Sequence, residues 1–131
     1  MVVADASALV EVLIGERRAQ RVVAELKGQQ VHAPDLISFE VLSAIRGKVR
    51  GRKLTPAEGI AAMRAFGEVE DRLELWPLLD TMTEQAIELR ENVSAYDAAY
   101  VTLARIFPCP LVTADARLAR AVGDLIDVIL A

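Results

Sequence analysis

The chain contains a single cysteine, Cys109, so no internal disulfide can form and the fold must rest on its core. No apolar run approaches the roughly 18 residues that a membrane-spanning helix requires. The opening MVVADASALV carries neither a basic leader nor a small-residue cleavage site, and a cytoplasmic protein is therefore expected. Aromatic residues make up only 5%, and Tyr96, Tyr100 and Trp76 read most simply as core or rim residues. Glycine-rich phosphate loops are missing: neither a Walker A sequence nor GxGxxG occurs, and no serine nucleophile elbow is present. Positive charge is not in excess either. A formal net charge of −4 argues against capture of nucleic acid by the surface as a whole.

What the sequence has in quantity is apolar. Hydrophobic residues make up 53% of 131 positions, above the roughly 45–50% of ordinary soluble domains. That suffices for one real core in a single domain over residues 1–131, and leaves apolar surface for a homodimer or a protein partner. Basic charge is locally concentrated: Arg46, Lys48, Arg50, Arg52 and Lys53 fall within eight positions. A solvated helix end, where cations suit the dipole, and a contact strip for RNA are both open readings of this cluster.

Hydrophobic pattern and punctuation divide the chain into alternating strands and helices. Val2-Val3-Ala4 reads as a buried strand ending at Asp5. Ser7 is the expected cap of a helix through Ile14, stopped by Gly15, with a second helix over Arg17 to Leu26. Val31-His32-Ala33 suits a strand before Pro34, and a helix capped by Asp35 is expected to run to about Gly51. Thr55-Pro56-Ala57-Glu58 is a strong start signal for a helix reaching about Glu70. Leu73 to Trp76 alternates as a third strand. Helices are expected over Thr83 to Glu91 and from Ser94 to Arg105 or Phe107. Leu111 to Thr113 gives a fourth strand, Asp115 to Val122 a short helix, and Asp127 to Leu130 a last strand. No linker, internal repeat or low-complexity tract interrupts the series. The order predicts an α/β fold with a mostly parallel sheet of four to five strands covered on both faces. In such sheets ligands bind beyond the carboxyl ends of the strands, which is where Asp5 and Asp115 fall.

Four acids stand out. Asp5 ends an apolar strand and, with Ser7 as the better cap, is left without a capping role. Glu40 lies within a helical stretch among Leu36, Ser43, Ala44 and Gly47, with no basic group on its own stripe. Asp97 follows Ser94 at capping-box spacing, so taken alone it reads as a cap. Asp115 follows Leu-Val-Thr-Ala and is equally a cap or a site residue, with Thr113 placed to support it. Carboxylates converging at about 4 Å repel by roughly 4 kcal/mol per pair at an effective dielectric near 20. Such a group is tolerable only with a shared proton or a cation, and oxygen-only ligands favour Mg²⁺ or Mn²⁺. His32 and Cys109, by contrast, read as structural.

The segments VVADASALV, ISFEVLSAI, SAYDAAYVTLA and LVTADARLA, in this order and spacing over essentially the whole chain, resemble the PIN-domain ribonucleases, in particular the VapC-type toxins. The resemblance implies a three-layer α/β/α sandwich with Asp5, Glu40, Asp97 and Asp115 in one acidic pocket. Asp5 and Asp97 would be the main Mg²⁺ ligands. Glu40 and Asp115 would complete the site, partly through water, and orient or deprotonate the attacking water, with Ser7 and Thr113 in support. It further implies endonucleolytic cleavage of RNA, inhibition by a VapB-type antitoxin, and a homodimer. Where some relatives carry a further acidic or polar residue, this chain has Leu118 and Ala119, which speaks against a second metal site.

Two other readings compete. A receiver-like Mg²⁺ phosphoacceptor would want an acidic pair after the first strand and an aspartate ending the third, where this chain has Trp76-Pro77. A non-catalytic partner-binding module would hold the four acids for structure alone. The nuclease reading requires Glu40 to face Asp5 and Asp97, and no lysine or arginine of the same fold to neutralise them.

Overall fold

The computed structural model describes residues 1–131. In chain order its elements are β1 (Val2–Ala4), α1 (Ala6–Leu13), α2 (Ala19–Leu26), β2 (Val31–Pro34), α3 (Ile37–Arg50), α4 (Pro56–Glu70), β3 (Leu73–Trp76), α5 (Asp80–Glu88), α6 (Ala95–Ile106), β4 (Leu111–Thr113), α7 (Ala116–Val122) and β5 (Val128–Leu130). The strands form one sheet in the order β3-β2-β1-β4-β5, with every pair parallel. No helix is long and apolar enough to cross a membrane.

β1 sits at the centre, between β2 and β4, and all three strands are buried along their length. Val2, Val3 and Ala4 are all buried, with Val3 paired to His32 on one side and Leu111 on the other. α1 packs against α2, α3 and α4, while α6 lies across β1, β2 and β4 and packs on α5. Right-handed crossovers then put α1 to α4 on one face and α5 to α7 on the other, giving three layers. The strand order reverses at β1 and β4. A crevice opens there beyond the strand ends, and Asp5 and Asp115 flank it.

This order removes the phosphoacceptor alternative. A receiver-type sheet has the order 2-1-3-4-5 and keeps its third strand beside the first. Here β3 is an edge strand, and it ends in Trp76-Pro77.

Several boundaries differ from the expectation for local reasons. Asp35 does not cap α3; the helix begins at Ile37, and its N-cap position, Leu36, makes no side-chain bond. α2 begins at Ala19, and α5 runs from Asp80 to Glu88, earlier at both ends than the pattern suggested. The Thr55 signal is realised in full: Glu58 N–H donates to Thr55 Oγ1 at 3.1 Å and Thr55 N–H to Glu58 Oε1 at 2.9 Å. α4 then approaches α3 closely at Gly59, where a Cβ would lie 2.6 Å from Val49 Cγ2.

His32 is a core residue. It stacks on Phe107 with ring centroids 4.0 Å apart, and the Trp76 indole N–H donates to its Nδ1 at 3.1 Å. The proton must then sit on Nε2, which is buried without a partner. Burial holds its pKa below the usual histidine range, so the ring is neutral in the fold. Cys109 is partly buried, and burial pushes its thiol pKa up, away from the reactive thiolate.

Candidate active site

Asp5 is the first residue after β1, and its carboxylate has three donors. Ser7 Oγ donates to Oδ1 at 2.7 Å, Ala8 N–H to the same oxygen at 3.0 Å, and Thr113 Oγ1 to Oδ2 at 2.7 Å. It therefore caps α1, contrary to the expectation that Ser7 would do so. The physical reason is that Asp5 is the single residue between strand and helix, so its own side chain already overhangs the helix N-terminus. Ser7 instead ties the crevice together by accepting Ala114 N–H at 2.9 Å. Asp5 is only 5% exposed, and burial raises its pKa against the opposing pull of Thr113, Ala8 and Ser7.

Glu40 lies in the first turn of α3, nearer the helix start than its sequence setting indicated. It is half-buried and not unpaired: Tyr100 Oη–H, from α6, donates to Oε1 at 2.6 Å. Burial raises its carboxyl pKa, the Tyr100 bond opposes this, and the charges of Asp97 and Asp5 raise it further. Tyr100 itself is pushed far above the usual phenol range, first by burial and then by Glu40, so its proton is fixed toward that carboxylate.

Asp97 is in the first turn of α6, whose N-cap is Ser94. The capping box is half-formed: Asp97 N–H donates to Ser94 Oγ at 3.0 Å, but the carboxylate makes no return bond. That carboxylate is 16% exposed and accepts no hydrogen bond in the fold. Asp115 does cap, with Oδ1 accepting from Arg117 N–H at 2.8 Å and Leu118 N–H at 3.1 Å. Thr113 Oγ1 accepts the Asp115 N–H at 3.0 Å, so one hydroxyl joins Asp5 to the last acid.

The four acids are thus one electrostatic group. Glu40 feels Asp97 and Asp5, and Asp5 feels Asp115. A cation does stand among them, against expectation. Arg117 Nη2 lies 3.7 Å from Asp97 Oδ2 and 3.4 Å from Asp115 Oδ2. It is 68% exposed, reaches these oxygens at long range, and makes no pair with Asp5 or Glu40, so it screens the outer half of the group only. Arg18 was also not anticipated: its Nη1 donates to Ala114 O at 2.6 Å and braces the β4–α7 turn. Neither arginine nor Tyr100 announces itself by motif, although Tyr100 lies one helical turn after Asp97 and shares its face.

The donor set suits a hard divalent ion. All candidate ligands are carboxylate oxygens, yet no three of these side chains converge tightly enough to hold an ion between them alone. The tight cluster expected from the sequence is thus not formed in this structure; the oxygen-only chemistry of the acids suits a hard divalent ion such as Mg²⁺ better than zinc. The basic strip is elsewhere. Lys48 pairs with Glu16 at 2.7 Å, Arg46 lines the α3–α4 groove, and Arg50, Arg52 and Lys53 are exposed at the far end of α3. Arg50 lies about 15 Å along the helix from Glu40 at 1.5 Å per residue.

Residues 2–124 match the PIN domain family. The chain belongs to that family. Among its PIN relatives, Ribonuclease VapC12 of Mycobacterium tuberculosis is 37% identical over 123 residues, 94% of this chain and 93% of that one. Ribonuclease VapC9 of the same organism is 35% identical over 118 residues, 90% of this chain and 88% of that one. A chain of a toxin–antitoxin complex from Klebsiella pneumoniae shares the PIN fold with a TM-score of 0.72 at 14% identity, covering 98% of this chain and 96% of that one.

Proposed function

We propose that residues 1–131 act as a single PIN nuclease domain, a Mg²⁺- or Mn²⁺-dependent endoribonuclease that serves as the toxin of a VapB–VapC-type pair. The observation that carries the reading is Asp97: a mostly enclosed carboxylate that accepts no hydrogen bond, faced only at 3.7 Å by the exposed Arg117, and whose charge acts on Glu40. Relatives over most of the chain's length bear the name ribonuclease.

In this reading Asp5 and Asp97 would hold the ion, and Asp115 and Glu40 would complete the site. When bound, the ion neutralises phosphate charge and makes water a stronger nucleophile near neutral pH. Ser7, Ala8 and Thr113 fix the Asp5 carboxylate so that its orientation is set before substrate arrives. Tyr100 holds one oxygen of Glu40 and leaves the other for the attacking water. A raised pKa suits Glu40 to accept that water's proton. The antitoxin would seat on the α3–α4 groove, about 530 Å³, lined by Leu42, Val49, Ile60 and Met63 and flanked by Arg46 and Arg64. Other exposed apolar side chains, Leu78 and Ile87 among them, are available to a homodimer.

The direct test is incubation of the purified protein with total RNA in Mg²⁺ or Mn²⁺. Endonucleolytic cleavage that stops on EDTA addition supports the reading, while intact RNA under all metal conditions leaves a non-catalytic binding module. Arg117 gives a second test. An exposed ion pair is worth about 0.2–1 kcal/mol, so Arg117→Ala should tighten Mn²⁺ binding about 1.4- to fivefold by calorimetric titration. Weaker Mn²⁺ binding in that variant would mean that the arginine organises the acids instead of competing for them.

A further inference from the structure

An RNA strand that enters the crevice brings more than one phosphate with it. A metal ion neutralises the phosphate at the cleaved bond, but the next one along meets four carboxylates and a chain of net charge −4. The basic strip cannot serve it, since that strip lies at the far end of α3. Two cations do reach the crevice. Arg117 is one, and its guanidinium already faces Asp97 and Asp115. Arg18 is the other, and no ion pair of the fold includes it.

Arg18 is out of place by the rules of its own helix. It occupies the N-cap of α2 and makes no side-chain cap bond there. That position favours Asn, Asp, Ser or Thr, whose oxygen accepts a helix N–H, and arginine has no acceptor to offer. Its charge also falls at the positive end of the helix dipole. The side chain instead crosses to the β4–α7 turn, where Nη1 donates to Ala114 O at 2.6 Å. Ser7 Oγ accepts the Ala114 N–H at 2.9 Å, so this residue is gripped at both backbone groups. Ala114 stands between Thr113, which bonds Asp5, and Asp115. The half-buried guanidinium is thus fixed beside the acids without being spent on them. Glu11 accepts only the backbone N–H of Arg18, at 3.3 Å. Of five guanidinium N–H groups one is used, and the others have no acceptor within the fold. A brace to one neutral carbonyl needs neither a permanent charge nor a planar fork of donors, whereas a phosphate engages both.

Resting on the ribonuclease reading, we propose that Arg18 binds the RNA phosphate next to the cleaved one, with Ala114 O holding the guanidinium in place and its remaining N–H groups serving the phosphate oxygens. Such a contact fixes the register of the strand on the acids and carries no base preference. It also explains why an arginine stands at a helix start that favours a small acceptor: a locally disfavoured residue is retained for what it does at a distance.

The test uses an oligoribonucleotide spanning a site that the parent protein cuts in total RNA, with kcat and KM measured in Mn²⁺ over a series of KCl concentrations. Arg18→Gln removes the charge and keeps an amide donor for Ala114 O. It should raise KM about tenfold, the scale of one charge-assisted hydrogen bond, and leave kcat within about threefold. The slope of log(kcat/KM) against log[KCl] should become shallower by about 0.7–0.9, the contribution of one phosphate contact. Arg18→Lys should keep the parent's slope, because an ammonium also neutralises one phosphate. Arg17→Gln, which removes the exposed charge next to it, should match the parent in both KM and slope. Thermal melting in EDTA should be the same for all four proteins. An unchanged slope in Arg18→Gln overturns the proposal, whatever its KM, and leaves Arg18 as a brace of the β4–α7 turn. A lysine variant that behaves as the glutamine one overturns it too, as does an equal loss of slope in Arg17→Gln, since the field of the whole surface would then be at work. Absence of cleavage by the parent protein is the separate failure of the ribonuclease reading itself.

Discussion

Asparagine in place of Asp5 is expected to lower RNA cleavage by more than about 100-fold without unfolding the protein. Removing a partner that merely orients a metal ligand costs about 10–100-fold, and Asp5 is proposed as a ligand itself. Asparagine is the right replacement because its amide oxygen can still accept Ala8 N–H and cap α1. Its amide nitrogen meets Thr113 Oγ1, a hydroxyl that can turn to accept instead of donate. Alanine would forfeit the cap, about 1 kcal/mol, and confuse lost folding with lost chemistry. The measurement is initial cleavage rate in Mn²⁺ alongside thermal melting in EDTA. Retained cleavage with a native melting profile would remove Asp5 from the metal site.

The second large effect is a split between stability and activity at Glu40. Its pKa is raised in the fold, mainly by burial, and the folded state therefore binds the proton more tightly than the unfolded chain does. Stability from this group is fully present below the unfolded value, about 4.3, and is lost as pH rises through the folded one. At pH 7 to 8, in EDTA, wild-type protein bears the cost of a charged, partly desolvated carboxylate facing Asp5 and Asp97. Glu40→Gln escapes that cost and keeps an oxygen for Tyr100 Oη–H. It should melt several degrees above wild type at neutral pH, the gap closing as pH falls toward 4, while cleavage drops at least about 100-fold, as expected when a general base is lost. A variant less stable than wild type at pH 8 in EDTA would show that Glu40 is chiefly structural.

The fold was readable where hydrophobic period and punctuation agreed. Val2 to Ala4 and Leu111 to Thr113 are continuous β-branched or apolar runs flanked by turn residues, and both are strands as expected. Thr55-Pro56-Ala57-Glu58 specified its own helix start by reciprocal bonds within four residues. Misreadings arose where a choice depended on distant atoms. Whether Asp5 or Ser7 caps α1 turns on how abruptly the strand meets the helix. Asp35 lost its expected cap because its N–H is taken by Trp76 O from the edge strand, drawing the residue into the sheet. Of the four acids, Asp5 and Glu40 stood out from their local settings, although Asp5 does cap α1, whereas Asp97 and Asp115 looked locally like caps and drew notice only in combination with the others. Tyr100 and Arg117 were not, since a tyrosine on a buried face and an arginine on a short helix look ordinary until the elements that face them are known.

The hydrogen bond from Thr113 to Asp5 joins positions 108 residues apart, and β1 is flanked by a strand that arrives near the end of the chain. Contacts of such long sequence separation form late in folding, because the loop they close must be ordered first. During synthesis the first strand emerges long before its partner, so a growing chain carries Asp5 but cannot orient it. The crevice therefore comes into being only once β4 has been made and has paired with β1, and a nascent or truncated copy ending before residue 111 would lack it.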